Sequence, residues 1–357
     1  MHGSGALFQI TNLRICNVIL KDIYVNSNGS AWTAGLVMTC HPNALIENCE
    51  VHGIIKLLNK EMTGGGIAGI VNNAATIRNC ENHANIYAQK YYYGGIAGTG
   101  GIIENCRNYG TIDGLGVASY MGGIAGSGAK IVNCVNYGDV INGNFSGGIT
   151  SSPILVQDCS NYGYVTGAWS IGGIASTGRV YRCKNYGKIF SKGSLTAGIV
   201  ADTNLDIYLC ENYGIINSNN PDGVGGIVAT FKGGRIAFCK NFGFVVSGRG
   251  IAGRTENNTE IYSCENYGRL SSSNNKNRIA WFAYGKLSIR NCIVDCKYQD
   301  GSVRVAYIDD LSYMAYNYKT GKVLFTKANS NSFYMQKVTK KMLEEKGFTV
   351  YLGEYVV

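Results

Sequence analysis

Proline and charged residues are scarce in this sequence. Only 3 of its 357 residues are Pro, and Asp, Glu, Lys and Arg together make up 15 %, where about 25 % is usual. Because Pro is so scarce and Gly does not occur at every third position, a collagen-like chain is excluded. No run of about 18 apolar residues occurs, so we expect no membrane span. Hydrophobic residues make up 45 % and Tyr alone numbers 25, which argues against a disordered chain.

The charge balance favours no nucleic-acid partner. The formal net charge is +9, but the basic residues are scattered singly along the chain. The densest group is Lys337, Lys340, Lys341 and Lys346. A nucleic-acid reader is expected to show a basic stripe or a known module, and neither is present. We therefore interpret the charge as general solvation of the surface together with a weak attraction to acidic surfaces.

Cysteine is abundant, but in none of the patterns typical of metal sites. No Cys-x-x-Cys pair occurs and His numbers only 4, so the sequence predicts no metal site and no cofactor. One Cys recurs instead every 24–31 residues. This spacing favours one small buried side chain per repeat, stacked on the next. The recurring residues are Cys49, Cys80, Cys106, Cys134, Cys159, Cys183, Cys210, Cys239, Cys264 and Cys292.

Two sequence blocks alternate along the chain. The first is Gly-Gly-Ile-Ala-Gly, as at residues 65–69, and the second is aliphatic-x-x-Cys-x-Asn-Tyr-Gly-x-aliphatic, as at residues 103–112. Copies of the first block recur from Leu36 to Ile279. The nine intervals between successive copies cover 243 residues, so the mean repeat length is 27 residues. A fixed period of this length indicates stacked supersecondary units.

Spacing within the second block predicts which side chains face inward. Cys, Asn, Gly and the final aliphatic residue lie two apart, so an extended chain points them all to one side. The leading aliphatic residue lies three before Cys, which requires a bend just before Cys. Each unit then contains three short strands separated by corners, and we expect Gly at the corners to permit positive φ.

Stacking of these units predicts an all-β fold, a parallel β-solenoid of the right-handed β-helix type. About ten or eleven coils of about 27 residues would complete one another's core. Residues 1–296 form the predicted solenoid domain; Leu7, Leu13 and Cys16 match later units, so the chain begins within a coil and is expected to be truncated there. Residues 297–357 are predicted to form a small C-terminal α+β cap or appended module, with strands at 303–308 and 322–326 and a helix at 335–346.

The aromatic residues that recur at one position of the repeat form the candidate binding surface. Tyr has the opposite parity to Cys and Asn, so we expect an outer column of rings that suits the stacking of sugars. The alternative is that the rings only shield the backbone and stack on one another. The predicted binding residues are Tyr109, Tyr137, Tyr162, Tyr186, Tyr213 and Tyr267 in the column, and Tyr91, Tyr92 and Tyr93 beside a turn.

The alternation of Gly-Gly-Ile-Ala-Gly with Asn-Cys-x-Asn-Tyr-Gly over residues 30–295 resembles the GLUG-type repeats of bacterial cell-surface and secreted proteins. The resemblance implies an extracellular β-helical stalk or adhesive region. We therefore expect a non-enzymatic module, secreted or at the cell surface, that acts as adhesive region or rigid spacer. Its expected partner is a glycan or a host surface protein. Some relatives carry peptidase domains, but no His-Glu-x-x-His motif occurs here, so that activity is not implied.

Two other functions stay open. A polysaccharide lyase or hydrolase on a β-helix would need carboxylates in a side cleft, and glycoside hydrolysis uses two of them about 5–10 Å apart. The candidate pairs are Asp202 with Asp206, Glu256 with Glu260, and Asp309 with Asp310. None of these pairs recurs in the repeats, and a solvated loop explains each. The other function is a phage or virion fibre component, which should form a trimer.

Overall fold

Every regular element in the described part of the chain is a β-strand. The structure is a computed structural model that describes residues 2–3, 6–27, 32–58, 63–193, 195–220, 223–270, 279–290, 292–296, 303–307, 313–317 and 323–327. No helix occurs within these residues, and the strands stack into about nine turns of about 28 residues. The predicted parallel β-solenoid is confirmed.

The strands form two sheets, and each coil contributes to both. The first sheet contains the strands that follow the Gly-Gly-Ile-Ala block and those that precede the recurring Cys. They are Phe8–Thr11, Arg14–Cys16, Val37–Cys40, Leu45–Glu47, Ala68–Arg78, Ala97–Glu104, Ala125–Ser127, Lys130–Val132, Thr150–Ser152, Leu155–Gln157, Val180–Tyr181, Val200–Thr203, Ile207–Tyr208, Val228–Phe231, Gly234–Ala237, Ala252–Tyr262 and Ala280–Arg290.

The second sheet contains the strands around the recurring Asn and those that lead into the Gly-Gly pair. They are His2–Gly3, Ile19–Ser27, Trp32–Ala34, Glu50–Leu57, Thr63–Gly65, Glu81–Asn82, Asn85–Ala88, Tyr92–Gly94, Arg107–Asn108, Ile112–Gly122, Val135–Asn136, Val140–Gly147, Ser160–Asn161, Val165–Gly172, Lys184–Asn185, Ile189–Ser191, Leu195–Ala197, Glu211–Asn212, Ile216–Ser218, Val224–Gly225, Lys240–Asn241, Glu265–Asn266, Cys292–Cys296, Val303–Tyr307, Tyr313–Asn317 and Val323–Lys327.

Equivalent residues of successive coils pair directly. In the second sheet Asn108 aligns with Asn136, which aligns with Asn161. In the first sheet Ile131 aligns with Val156. Parallel, in-register pairing places each inward side chain above its copy in the previous coil, so one sequence pattern produces continuous columns.

Two of these columns lie at the centre of the repeat pattern and are part of the core. The Ile of the Gly-Gly-Ile-Ala block is fully buried in every coil where the block is clear, and so are the recurring thiols. The thiols line up as predicted: the backbone N–H of Cys106 donates to Cys134 Sγ at 3.4 Å, and that of Cys134 donates to Cys159 Sγ at 3.4 Å. Burial raises the pKa of Cys134, Cys183 and Cys210, which keeps these three thiols neutral and unreactive.

The bend before Cys is confirmed, but Gly does not form it. The residue that precedes the recurring Cys adopts the left-handed region in successive coils, with φ of 54° at Asn79, 50° at Arg182 and 56° at Phe238. The backbone N–H of this residue bonds to a carbonyl of the next coil, as from Arg182 to Tyr208 at 3.0 Å. Hydrogen bonding between coils thus holds a conformation that costs a non-Gly residue about 1–2 kcal/mol.

The motif glycines serve close packing instead of positive φ. A Cβ on Gly95 would overlap the side-chain amide of Asn108, and a Cβ on Gly163 would overlap the Gly138 carbonyl of the previous coil. Neither residue has a positive φ. Each is required because its neighbour leaves no room for a side chain. The expected positive φ occurs instead at glycines of the corner before the strand that enters Cys, as at Gly128, Gly178 and Gly233.

The two ends differ from the predictions in detail. Cys16 aligns with Glu47, two residues before the thiol column, so it is half-buried and outside that column. After Cys292–Cys296 the strands turn antiparallel and extend the second sheet. Strands Val303–Tyr307 and Val323–Lys327 match the predicted ones to within a residue. The predicted helix at 335–346 lies outside the described residues.

Candidate functional site

A buried amide ladder fixes the orientation of the candidate surface. In the central coils Asn136 Nδ2 donates to Gly138 O at 2.7 Å and to Asn161 Oδ1 of the next coil at 2.8 Å. The same two bonds recur from Asn82 to Asn241. Because each Asn is fully buried, the residue that follows it must point to solvent. The predicted inward position of the recurring Asn is confirmed.

The outward residues form one continuous stack of rings, which we call the aromatic column. Successive ring centroids are 4.3–5.5 Å apart and the rings are nearly parallel, with interplanar angles of 2–21°. The spacing follows from that of adjacent strands, about 4.8 Å. The column consists of His52, His83, Tyr109, Tyr137, Tyr162, Tyr186, Tyr213, Phe242 and Tyr267.

The column presents ring edges to solvent. Tyr137 and Tyr162 are 44 % and 47 % exposed, yet both faces of each ring lie against neighbouring rings. The predicted outer position of these residues is confirmed. Stacking of a sugar on a ring face, as the sequence suggested, does not fit the interior rings. What the column offers is a flat apolar strip edged by phenol groups.

A column of polar residues runs beside the rings, two positions earlier in each coil. Its charges pair between neighbouring coils: Arg107 with Glu81 at 3.0 Å and Lys184 with Glu211 at 2.9 Å. Partial burial opposes ionisation of Glu211, but hydrogen bonds from Lys184 and Tyr213 outweigh it and lower the pKa of its carboxyl. The charges beside the rings are therefore largely neutralised within the protein.

The three consecutive tyrosines beside the turn separate into different environments. Tyr91 is 44 % exposed, and Tyr92 stacks on Tyr120 at 4.9 Å in a short second row of rings. Tyr93 is fully buried, and its hydroxyl donates to Gln89 O at 2.7 Å. Tyr93 therefore belongs to the core and cannot line a binding face, whereas Tyr91 and Tyr92 remain accessible but lie apart from the aromatic column.

Three of the four described candidate carboxylates are paired with a basic side chain, and Asp206 accepts a backbone hydrogen bond. Asp202, Glu256 and Glu260 lie in strands instead of the solvated loops expected from sequence, and Glu256 is buried. Their ion pairs need no catalytic explanation. The contacts are Asp202 with Lys232 at 2.6 Å, Asp206 with the backbone N–H of Arg235 at 2.8 Å, Glu260 with Arg235 at 3.0 Å and Glu256 with Arg254 at 2.9 Å. Asp309 and Asp310 lie outside the described residues.

One cluster of possible metal ligands escaped the sequence reasoning. Glu50, His52 and His83 each offer a ligand atom, and these atoms all lie within 4.8 Å of one another. The search for Cys-x-x-Cys pairs could not find it, because the two His come from different coils. The available signal was the pattern Glu-x-His, which occurs at the same position of two successive repeats.

Comparisons with known proteins found no match to this chain. No family model matches the chain, and neither a curated protein nor a solved structure matches it. In the part of the chain that the structure describes, no helix has the length and apolar character needed to cross a membrane. The functional argument therefore depends on the chain's own residues.

Proposed function

We propose that this chain is a non-enzymatic β-solenoid module of a secreted or cell-surface protein, which acts as a rigid spacer and binds an extended glycan along the aromatic column. The observation that carries the proposal is the column itself. Ring after ring repeats at one spacing along a rigid rod, with partly exposed edges. A repeating ligand matches a repeating surface better than a compact one does.

The chemistry of the column favours hydrogen bonding along its edge. A phenol hydroxyl both donates and accepts, and burial together with Glu211 raises the pKa of Tyr213. The Tyr213 hydroxyl thus stays neutral at physiological pH. The spacing of the Tyr hydroxyls, about 4.8 Å, is close to the length of one sugar residue in an extended chain. Each coil can therefore contact one sugar through a hydroxyl and an apolar ring edge.

The flanking charges favour an uncharged glycan. Lys184 and Lys240 are paired with Glu211 and Glu265 at 2.9 and 3.0 Å. An acidic polymer could bind the lysines only by displacing these carboxylates. A basic polymer could bind the carboxylates only by displacing the lysines. A neutral polysaccharide needs no such exchange.

The spacer role is supported by the unbroken core. The thiol, Ile and amide columns run through successive coils without interruption from the coil of Cys80 to that of Cys264. At about 4.8 Å per coil, nine turns make a rod about 45 Å long. Each coil contacts only its neighbours, as in other solenoids, so stiffness comes from the continuous columns.

The decisive experiment removes hydroxyls and keeps the rings. A glycan array first selects a ligand, and calorimetry then compares wild type with a Tyr137→Phe, Tyr162→Phe, Tyr186→Phe variant. Phe242 already occupies the column, so the variant should fold. At about 1 kcal/mol per neutral hydrogen bond, three lost bonds weaken binding about 100-fold.

The matched control lies on another face of the same rod. Tyr181 and Tyr208 form their own stack at 5.7 Å, and replacing both with Phe should leave glycan affinity unchanged. Equal affinity in the column variant and wild type would show that the column does not bind the ligand. Reducing-sugar release that disappears in Asp202→Asn would instead establish the polysaccharide-active alternative.

A further inference from the structure

The aromatic column changes composition at its N-terminal end. In the coils of Cys49 and Cys80 the ring position holds His52 and His83 in place of Tyr or Phe. The residues two before them are Glu50 and Glu81, which pair directly between the two coils. The chain has only 4 His, and two of them thus occupy the same position of adjacent coils, each beside a Glu.

The ligand atoms of this cluster are already close. His52 Nε2 lies 3.2 Å from Glu50 Oε2, and the two imidazole rings are stacked with centroids 4.3 Å apart. The side chains of Glu50, His52 and His83 are 39 %, 32 % and 30 % exposed. They are thus anchored by the backbone of a paired strand, yet they can be reached from solvent and can still rotate.

A second carboxylate orients the outer ring. Glu81 Oε2 lies 3.1 Å from His83 Nε2, while Arg107 holds the other oxygen of Glu81 at 3.0 Å. Glu81 thus lies between Arg107 and His83 and acts as a positioning residue for the His83 ring, comparable to the carboxylates that hold metal-ligating His rings.

We propose that Glu50, His52 and His83 bind a divalent transition-metal ion, with Zn²⁺ as the best match. Two imidazole nitrogens and one carboxylate oxygen form a donor set that Zn²⁺ commonly accepts. Tetrahedral ligand atoms about 2 Å from a metal are about 3.3 Å apart, which the Glu50–His52 distance already satisfies. The fourth position is open to solvent and would hold water or an external ligand.

Binding requires a specific rearrangement. A metal ion lies in the plane of each imidazole ring that binds it. Two rings stacked at an interplanar angle of 2° have no common position in both planes that one ion could occupy. The rings must therefore tilt toward each other and give up their stacking. The His83 ring must also tilt away from Tyr109, on which it stacks at 4.5 Å.

The consequence is a cross-link between two coils. His52 and His83 are 31 residues apart in sequence, so one ion would join successive turns near the N-terminal end of the rod. A ligand that binds only the folded state raises stability by RT ln(1 + [L]/Kd). We expect Zn²⁺ to raise the melting temperature and to protect the amide hydrogens of the strands Glu50–Leu57 and Glu81–Asn82 from exchange.

The test is a calorimetric titration of the full chain with Zn²⁺. Wild type should bind one ion, and His83→Tyr and His52→Tyr should each lower its affinity more than about tenfold. Tyr is the usual residue of the column, so both variants keep the ring stack, and their thermal melts check folding. His41→Ala removes an exposed His elsewhere and should bind Zn²⁺ as wild type does.

A second measurement separates this site from the thiols. In a Co²⁺ titration, Cys ligands produce intense thiolate-to-metal charge-transfer absorption, whereas His and Glu ligands give only weak visible bands. We expect the weak bands alone, lost in His83→Tyr. Absence of Zn²⁺ binding in wild type, unchanged affinity in both Tyr variants, or a thiolate band would each overturn the proposal.

Discussion

Replacing one member of the buried amide ladder should destabilise the whole rod. Asn161 accepts a hydrogen bond from Asn136 Nδ2 at 2.8 Å and donates to Gly163 O and Asn185 Oδ1, both at 2.9 Å. It is fully buried. Asn161→Ala removes all three bonds and leaves the amides above and below with unpaired polar atoms.

The expected loss of unfolding free energy is at least about 3 kcal/mol. A buried hydrogen bond contributes about 1 kcal/mol net, and three are lost. The polar atoms left on Asn136 and Asn185 add to this figure, since a buried unpaired group costs about 1–3 kcal/mol. Asn266 provides an internal comparison: it accepts from Asn241 at 2.6 Å and donates to Gly268 O at 3.1 Å, but the next coil has Val294 at this position. Asn266→Ala should therefore cost less, about 2 kcal/mol.

Urea denaturation followed by far-ultraviolet circular dichroism measures both losses. Amide hydrogen exchange complements it, because solenoids can open one end before the other. We expect Asn161→Ala to lower stability more than Asn266→Ala does. If Asn161→Ala unfolds at the same urea concentration as wild type, the ladder bonds do not hold the coils together and the reasoning is refuted.

Two further predictions follow from the same packing. Gly163→Ala should lower the unfolding free energy by about 1–3 kcal/mol through overpacking, because the added methyl meets the Gly138 carbonyl. The control Gly116→Ala, at φ +80° with open space around it, should lose only about 1 kcal/mol through backbone strain. Equal urea midpoints for the two variants would contradict this. Glu47 has a lowered pKa because Arg78, and then Arg14, hydrogen-bond its carboxylate, so its stabilisation is present above about pH 4.3 and is lost as pH falls through the lowered folded-state value. The melting-temperature gap between wild type and Glu47→Gln should therefore close on acidification; a gap that persists at low pH would contradict the ion-pair account.

The fold could be predicted from sequence because buried residues recur at the same position of each repeat. Asn161 and Ile174 recur in phase with Cys159 through many coils, and strict alternation along an extended chain assigns each of them to one side. Because every coil repeats the same pattern, the evidence for each column accumulates over the chain. The strand order, the inward columns and the outer rings could therefore be predicted from residue types and spacing.

Backbone conformation just before Cys could not be predicted in this way. The left-handed residue before Cys is Asn79, Arg182 or Phe238 in different coils, so its identity carries little signal. The path of the chain between stacked coils imposes the conformation. The need for Gly163 was likewise not predictable, because it depends on a carbonyl of the neighbouring coil that excludes a side chain.

Register explains the two differences at the candidate site. Tyr93 aligns with Met121 of the next coil, an inward position that continues through Ser146, so its ring fills the core although the local sequence reads as an exposed turn. The approach of His52 to His83 likewise depends on which residues pair between coils. Such contacts become visible only when the repeats are stacked.

The central claim is that successive coils stack in register around one core. A sulfur anomalous difference map from a crystal of this protein tests it directly, because anomalous scattering locates each sulfur atom independently of how the chain is traced. The account predicts one row of peaks from Cys49 to Cys292, about 4.8 Å apart. Sulfur atoms scattered through the molecule, or spaced irregularly along it, would contradict the account.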